Sequence, residues 1–258
     1  MTGFSITPAD IGHAAGEFAR GTHELTSTWS ALGAALEAQA GMAGDDGYAR
    51  SFDSRYQRGA DTAWAAFAKA TSTLGGISAG LNQTVNNYIK ADHHSTVGRA
   101  TVGHAAVAAV GPVPVAPADS AAGPVCIPAI DAAIGPGESG LPAPLARFWP
   151  NAHTDRLRAA AVAWRIAGTA AERAAGQLNA VVTSLTDVND GADVRAIEGF
   201  WARVYRIGDP QTVLAGLPIL CSALADACDR YASAVDHARS AMKWALAGAW
   251  LAPGSRSE

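Results

Sequence analysis

From residue 8 onward the seam positions fall in alternating steps of four and three: Ile11, Ala15, Phe18, Thr22, Leu25, Trp29, Leu32 and Leu36. Such steps return a side chain to one face of an α-helix, and a strand, whose period is two, cannot produce them. A seam of this length cannot remain exposed to water, so the helix demands a partner. Its start is marked by Thr7 as a cap, Pro8 at the first helical position, and Asp10 three residues after the cap, as in a capping box.

The partner follows in the sequence. "GMAGDDG", residues 41–47, offers Gly41, Gly44 and Gly47 to end one helix, while Asp45 and Asp46 favour the N-terminus of the next. The second run uses Phe52 and Tyr56 on its early face, then Trp64, Phe67, Thr71, Leu74, Ser78, Leu81, Val85 and Tyr88, again in fours and threes. Gly75, Gly76 and Gly80 weaken its middle by about 1 kcal/mol each relative to alanine, or admit a close helix contact or a kink.

Residues 96–147 hold eight of the thirteen prolines and seven glycines with few charges. They read as a linker, apolar enough in "VGPVPVAPA" and "VCIPAI" to lie against the helices. Pro150, Asn151 and Thr154 then supply stop and cap chemistry for a second helical pair. Leu157, Ala161, Trp164, Gly168, Ala171, Ala175, Leu178, Val182 and Leu185 repeat the spacing up to a polar turn at Asn189, Asp190 and Gly191. The return run breaks at Gly208, Asp209 and Pro210, then continues through Leu217, Cys221, Leu224, Cys228, Tyr231, Val235, Ala238 and Met242, with Pro218 expected to bend its first turns.

The fold class is therefore all-α: two long antiparallel helical hairpins packed as an elongated four-helix bundle and joined by a Pro/Gly/Ala-rich linker. The expected boundaries are residues 1–95 for the first hairpin, 96–147 for the linker, 148–247 for the second hairpin and 248–258 for a tail. Both hinges are expected at exposed ends of the bundle.

A net charge of -4, with no Lys/Arg stripe, argues against nucleic acid as a partner. "MTGFSITPAD" lacks a basic segment followed by an apolar one, so export would need a route other than a conventional signal peptide. No run reaches the roughly 18–20 apolar residues of a membrane-spanning helix. Cys221 and Cys228, seven apart on one helix, sit about 10 Å apart along its axis and cannot bridge; they and Cys126 read as free thiols. His93, His94 and His104 have no zinc-type spacing, so no metal and no cofactor are expected. There is no nucleophile elbow or phosphate loop, and Asp226 with Arg230 reads as a surface ion pair. "AMKWALAGAWLAPG" reads as helix-end packing in preference to membrane contact.

Two helices joined at a glycine-containing turn, an alanine-rich seam, and Tyr88 followed four residues later by Asp92 at the end of the second helix resemble the WXG superfamily. "GMAGDDGYARSF" with "WPNAHTDRLRAAAVAW" is similar to the tandem WXG-like N-terminal region of the CpnT-like channel and toxin proteins of actinobacteria. None of the seven tryptophans is followed by glycine two positions on, so the hinge glycines stand where the namesake turn would be. The resemblance implies a non-enzymatic substrate or targeting module of type VII (ESX) secretion, made in the cytoplasm and delivered to the envelope or outside. It also implies Tyr88 and Asp92 as a secretion-signal candidate, read by the export ATPase or a chaperone, with a small WXG-family partner as a further option. A membrane-active channel component and, more remotely, a helical enzyme or metal protein are the alternatives. After Trp250 the sequence leaves no room for an effector, which is expected in a longer toxin. About 0.4 Tyr-to-acid pairs at this spacing are expected by chance, and Tyr205 with Asp209 is a second one, there explained as a cap.

Overall fold

Among the described residues, five helices form from these signals. In the computed structural model they are α1 (Pro8–Glu37), α2 (Gly47–Arg99), α3 (Thr154–Val188), α4 (Ala192–Val204) and α5 (Val213–Leu251). The structure describes residues 7–99, 133–137, 148–189 and 191–251, with side chains placed throughout except at 94–99 and 248–251. The expectations for Cys126, His104, Asp190, "VGPVPVAPA", "VCIPAI", and the side chains of His94 and Trp250 lie outside those residues.

The helices are amphipathic as the spacing requires. On α1 the residues Ile11, Ala15, Phe18 and Leu25 are completely buried, and on α3 Leu157, Ala161, Trp164 and Ala171 are too. Helix α2 runs unbroken through Gly75, Gly76 and Gly80 and continues four residues past the expected boundary at 95. Helix α5 likewise includes Pro218, close enough to its start that few backbone bonds are lost. The break before it is an Asx turn: the Asp209 carboxylate accepts the Gln211 amide at 3.0 Å, and the helix begins only after Thr212. Asp209 thus shapes the turn, instead of capping the helix directly.

The chain divides into two compact units, each drawing on both hairpins. Unit one comprises residues 1–29, 65–127 and 169–218; unit two comprises 30–64, 128–168 and 219–258. In unit one the two helices of the first hairpin are locked by the Ser78 hydroxyl, which donates to the Ala15 carbonyl at 2.8 Å, and by Trp29 against Phe67 with ring centroids 4.5 Å apart. The second hairpin packs on them through Leu178, which fills the space left by Gly21, and through Trp201, which meets Phe18 edge to face at 5.5 Å.

Unit two is built around aromatic residues. Trp164 is fully buried, its indole N–H donating to the Tyr56 hydroxyl at 2.9 Å, with Trp64 edge-on at 6.3 Å. Phe52 stacks between Tyr56 and Tyr231. On the outside Asp226 pairs with Arg165, which also reaches Asp229, so the expected pairing of Asp226 with Arg230 along one helix gives way to a bridge between α3 and α5. The guanidinium of Arg165 can meet two carboxylates at once there, which a single-helix pair would not allow.

Cys221 and Cys228 are buried free thiols, and burial pushes both up to about 12 from the ordinary value of 9.0. Folding thus favours the neutral thiol. That contribution is fully present below pH 9 and is lost as pH rises toward 12. The expected outcome is that iodoacetamide at neutral pH leaves both residues unmodified in the folded chain and alkylates both in denaturant, read by peptide mass spectrometry; alkylation of the native chain at the free-thiol rate would contradict their burial.

Candidate functional site

Two clusters contain the residues singled out in the sequence. The first, in unit one, gathers at the second hinge. Asn189 ends α3, donating its side-chain amide to the Leu185 carbonyl at 3.1 Å while its oxygen accepts the Thr7 backbone amide at 2.8 Å. The amide that a capping box would satisfy with Asp10 is therefore taken by the other hairpin, which fixes the start of α1 against the second hinge. Asn189 and Gly191 are buried, contrary to the expectation of exposed hinges, because the hinge closes around this bond.

Gly191 precedes α4, whose first turn carries Asp193. The Tyr88 hydroxyl donates to the Asp193 carboxylate at 3.0 Å. Residues 105 apart thus join the last part of α2 to the turn of the opposite hairpin. Burial, the bond to Asp193 and that carboxylate's negative charge all raise the Tyr88 phenol above its ordinary value, keeping it a hydrogen-bond donor throughout the physiological range. One turn further along α2, Asp92 is exposed, and Ile89 between them is 38% exposed. The result is a surface strip of phenol, sec-butyl and carboxylate groups. Sequence spacing identified Tyr88 and Asp92; Asp193 was missed, since nothing local links it to Tyr88.

The second cluster, in unit two, surrounds the first hinge. Gly41 and Gly44 adopt φ values of 76° and 77°, the left-handed region open to glycine. Asp46 caps α2, its carboxylate accepting the Ala49 amide at 2.7 Å and, with its other oxygen, the Asn151 amide at 3.0 Å. Asn151 also accepts the Asp45 amide at 3.1 Å and donates to the Asp45 carboxylate. Asn151 was expected to serve the start of α3; instead it latches onto the first hinge, and His153 precedes that helix.

A short stretch of the linker completes the latch. Ala43 donates to the Ala133 carbonyl at 2.8 Å and Gly135 to the Gly44 carbonyl at 3.1 Å, a single parallel bridge. His153 donates its backbone amide to the Met42 carbonyl, while its ring contacts the Pro136 carbonyl at 2.8 Å. Of the hinge expected to be exposed from Gly44 to Gly47, Asp45 and Gly47 are exposed and Asp46 is half-buried, whereas Gly44 is buried with residues 41–43 beneath these segments. Arg239 of α5 holds the covering strand by donating to the Pro150 and Ala152 carbonyls, with its guanidinium 5.6 Å from the Trp149 ring. Trp244, one turn beyond, is 79% exposed, so helix-end packing does not cover it.

Among the described residues no group of three or more His, Cys, Asp or Glu is placed to hold a metal, and no helix is long and apolar enough to cross a membrane. The polar geometry is that of latches and a surface strip, suited to recognition.

Residues 136–252 match the family model described as the WXG100-like domain, which spans α3 to α5. Residues 136–252 thus carry a WXG100-like domain. Among individual relatives, the chain is 30% identical over 94% of its length to the outer membrane channel protein CpnT of Mycobacterium bovis and of Mycobacterium tuberculosis, covering 27% of each. It is also 29% identical over 75% of its length to a Mycobacterium avium protein named as an NAD(+)–arginine ADP-ribosyltransferase, Mav, covering 23% of it. The chain therefore spans about a quarter of the length of these relatives. No solved structure matches.

Proposed function

We propose that the chain is a non-enzymatic recognition module of type VII secretion, either a substrate in its own right or the targeting part of an exported toxin. Its signal would be the strip of Tyr88, Ile89 and Asp92, read by the secretion ATPase or a chaperone. The observation that carries this reading is the bond from Tyr88 to Asp193, which presents the tyrosine and acid beside the turn of the second hairpin as one composite surface. Pairing the two hairpins within one chain supplies contacts that a separate partner hairpin would otherwise provide.

Export of the tagged chain from an actinobacterial host, with and without its type VII ATPase, tests the proposal. Wild type should leave the cell only when the ATPase is present. Tyr88→Ala and Asp92→Ala should each reduce export at least about tenfold while folded protein accumulates inside, because Asp92 is exposed and Tyr88 only half-buried, so that neither truncation opens the core. Export of both variants at the wild-type level would reduce the strip to a helix end.

A second reading has support in the name of one set of relatives, the outer membrane channel protein. Release of a trapped dye from liposomes by the purified chain would favour a membrane-active role, with Trp244 as the first residue to replace.

A further inference from the structure

In unit one, α2 and α4 leave between them a groove of about 510 Å³. Gly76 and Gly80 of α2 form one wall and Ile197 and Phe200 of α4 the other, with Trp201 below. Phe200 is 42% exposed here, and a Cβ added at Gly76 or Gly80 would meet nothing within 4 Å. Two glycines inside a helix forgo about 2 kcal/mol relative to alanine, and no described atom of the chain uses the space they leave.

The charges at the groove are ordered. Among the described residues that line it, only Asp193 is charged, and it lies at the end where Tyr88 binds. At Phe200, two turns along α4, the Arg203 guanidinium sits 5.4 Å from the ring centroid. The α2 stretch lining the groove, from Thr73 to Thr84, is about 16 Å long, or three helical turns.

We infer that this groove docks an amphipathic helix of about three turns from another protein. Apolar side chains at i, i+4 and i+7 enter between the glycine wall and Phe200, and the missing Cβ atoms allow the helix backbone to approach α2. A basic residue of the partner faces Asp193 and an acidic one faces Arg203. This docking does not depend on Tyr88 being an export signal: a Tyr88→Ala variant that fails in export is expected to keep the groove.

The test uses the full chain and a fluorescent alanine-based peptide of about fourteen residues, with glutamate in its first turn, leucines at the three anchor positions and arginine in its last turn, followed by anisotropy. Saturable binding is expected, weakened by about tenfold or more in Gly80→Leu, whose side chain occupies the groove. The same variant should melt no lower than wild type, because leucine replaces a poor helix former at a position where an added Cβ meets nothing and the rest of the side chain extends into the groove, which separates blocked docking from misfolding. Arg203→Glu should weaken binding severalfold, and a peptide with arginine in both its first and last turns should restore part of that loss only if the complementarity is real. Absence of saturable binding to wild type, as when another part of the chain or a second copy fills the groove, or equal binding by Gly80→Leu, would overturn the inference.

Discussion

Replacing Gly44 by alanine is expected to destabilise the chain by about 3 kcal/mol and to lower the melting temperature by about 6–12 °C. Two effects add. At φ 77° a Cβ is strained, and the new methyl would lie well inside van der Waals contact distance of the Asn151 side-chain oxygen, with the Ala152 amide nitrogen only 3.0 Å away. Neither obstacle is the end of a flexible surface side chain, because Asn151 is held by three hydrogen bonds to Asp45 and Asp46. Thermal unfolding followed by circular dichroism measures the effect. In an Asn151→Ala background the clash with the side-chain oxygen should disappear, leaving the torsional cost of about 1–2 kcal/mol and the close approach of the residue 151 and 152 backbone, so the two substitutions should be non-additive. A Gly44→Ala change of less than about 1 kcal/mol in the wild-type background would mean that the latch moves aside.

Trp164→Ala should have the larger effect, about 3–5 kcal/mol, read as the shift of the urea unfolding midpoint. The ring is fully buried, touches Trp64 and Tyr56, and its loss leaves a cavity that rigid helices can collapse around only in part. Tyr56→Phe offers a finer comparison. It keeps almost all of the packing yet strands the buried Trp164 N–H, so it should cost about 1–3 kcal/mol, more than a hydrogen bond's usual net worth. Burial also raises the Tyr56 phenol well above its ordinary value, with the neighbouring Cys228 thiol adding to the shift, so the neutral hydroxyl persists to strongly alkaline pH. Near-equal midpoints for Tyr56→Phe and wild type would imply that the indole finds another acceptor.

The helices were legible because their signal is local. The four-three spacing that placed Ile11, Phe18, Leu157 and Trp164 on seams depends only on helical geometry, and all four are fully buried. The turn chemistry of Asp46 was legible for the same reason: a cap and the amide it binds are three residues apart. Polar pairs that bridge helices carry no such spacing. Asn151 and Asp46 are 105 positions apart, and in sequence Asn151 looks like an ordinary residue at a helix start. Asp193 looks like any acid in a first turn, and its role beside Tyr88 emerges only once the second hinge is folded against α2. The burial of Gly44, Asn189 and Gly191 was hidden for a related reason. Glycine and aspartate advertise a turn, but whether the turn is wet or covered is decided by segments far along the chain, here residues 133–137 and 149–153 for one and Thr7 for the other.

The composition of unit one has a consequence for synthesis. Its pieces end at residue 218, and Tyr88 must wait for Asp193, 105 residues later, to leave the ribosome. At about 5–20 residues per second that interval is roughly 5–20 s, more than a million times the microsecond or less in which a helix forms. Throughout it the first hairpin exists with Phe18 and Leu81 lacking the cover that Trp201 and its neighbours later supply. The nascent chain therefore passes through seconds in which it is open to misassociation at surfaces that the finished fold covers, and a holding factor acting in those seconds would raise its yield.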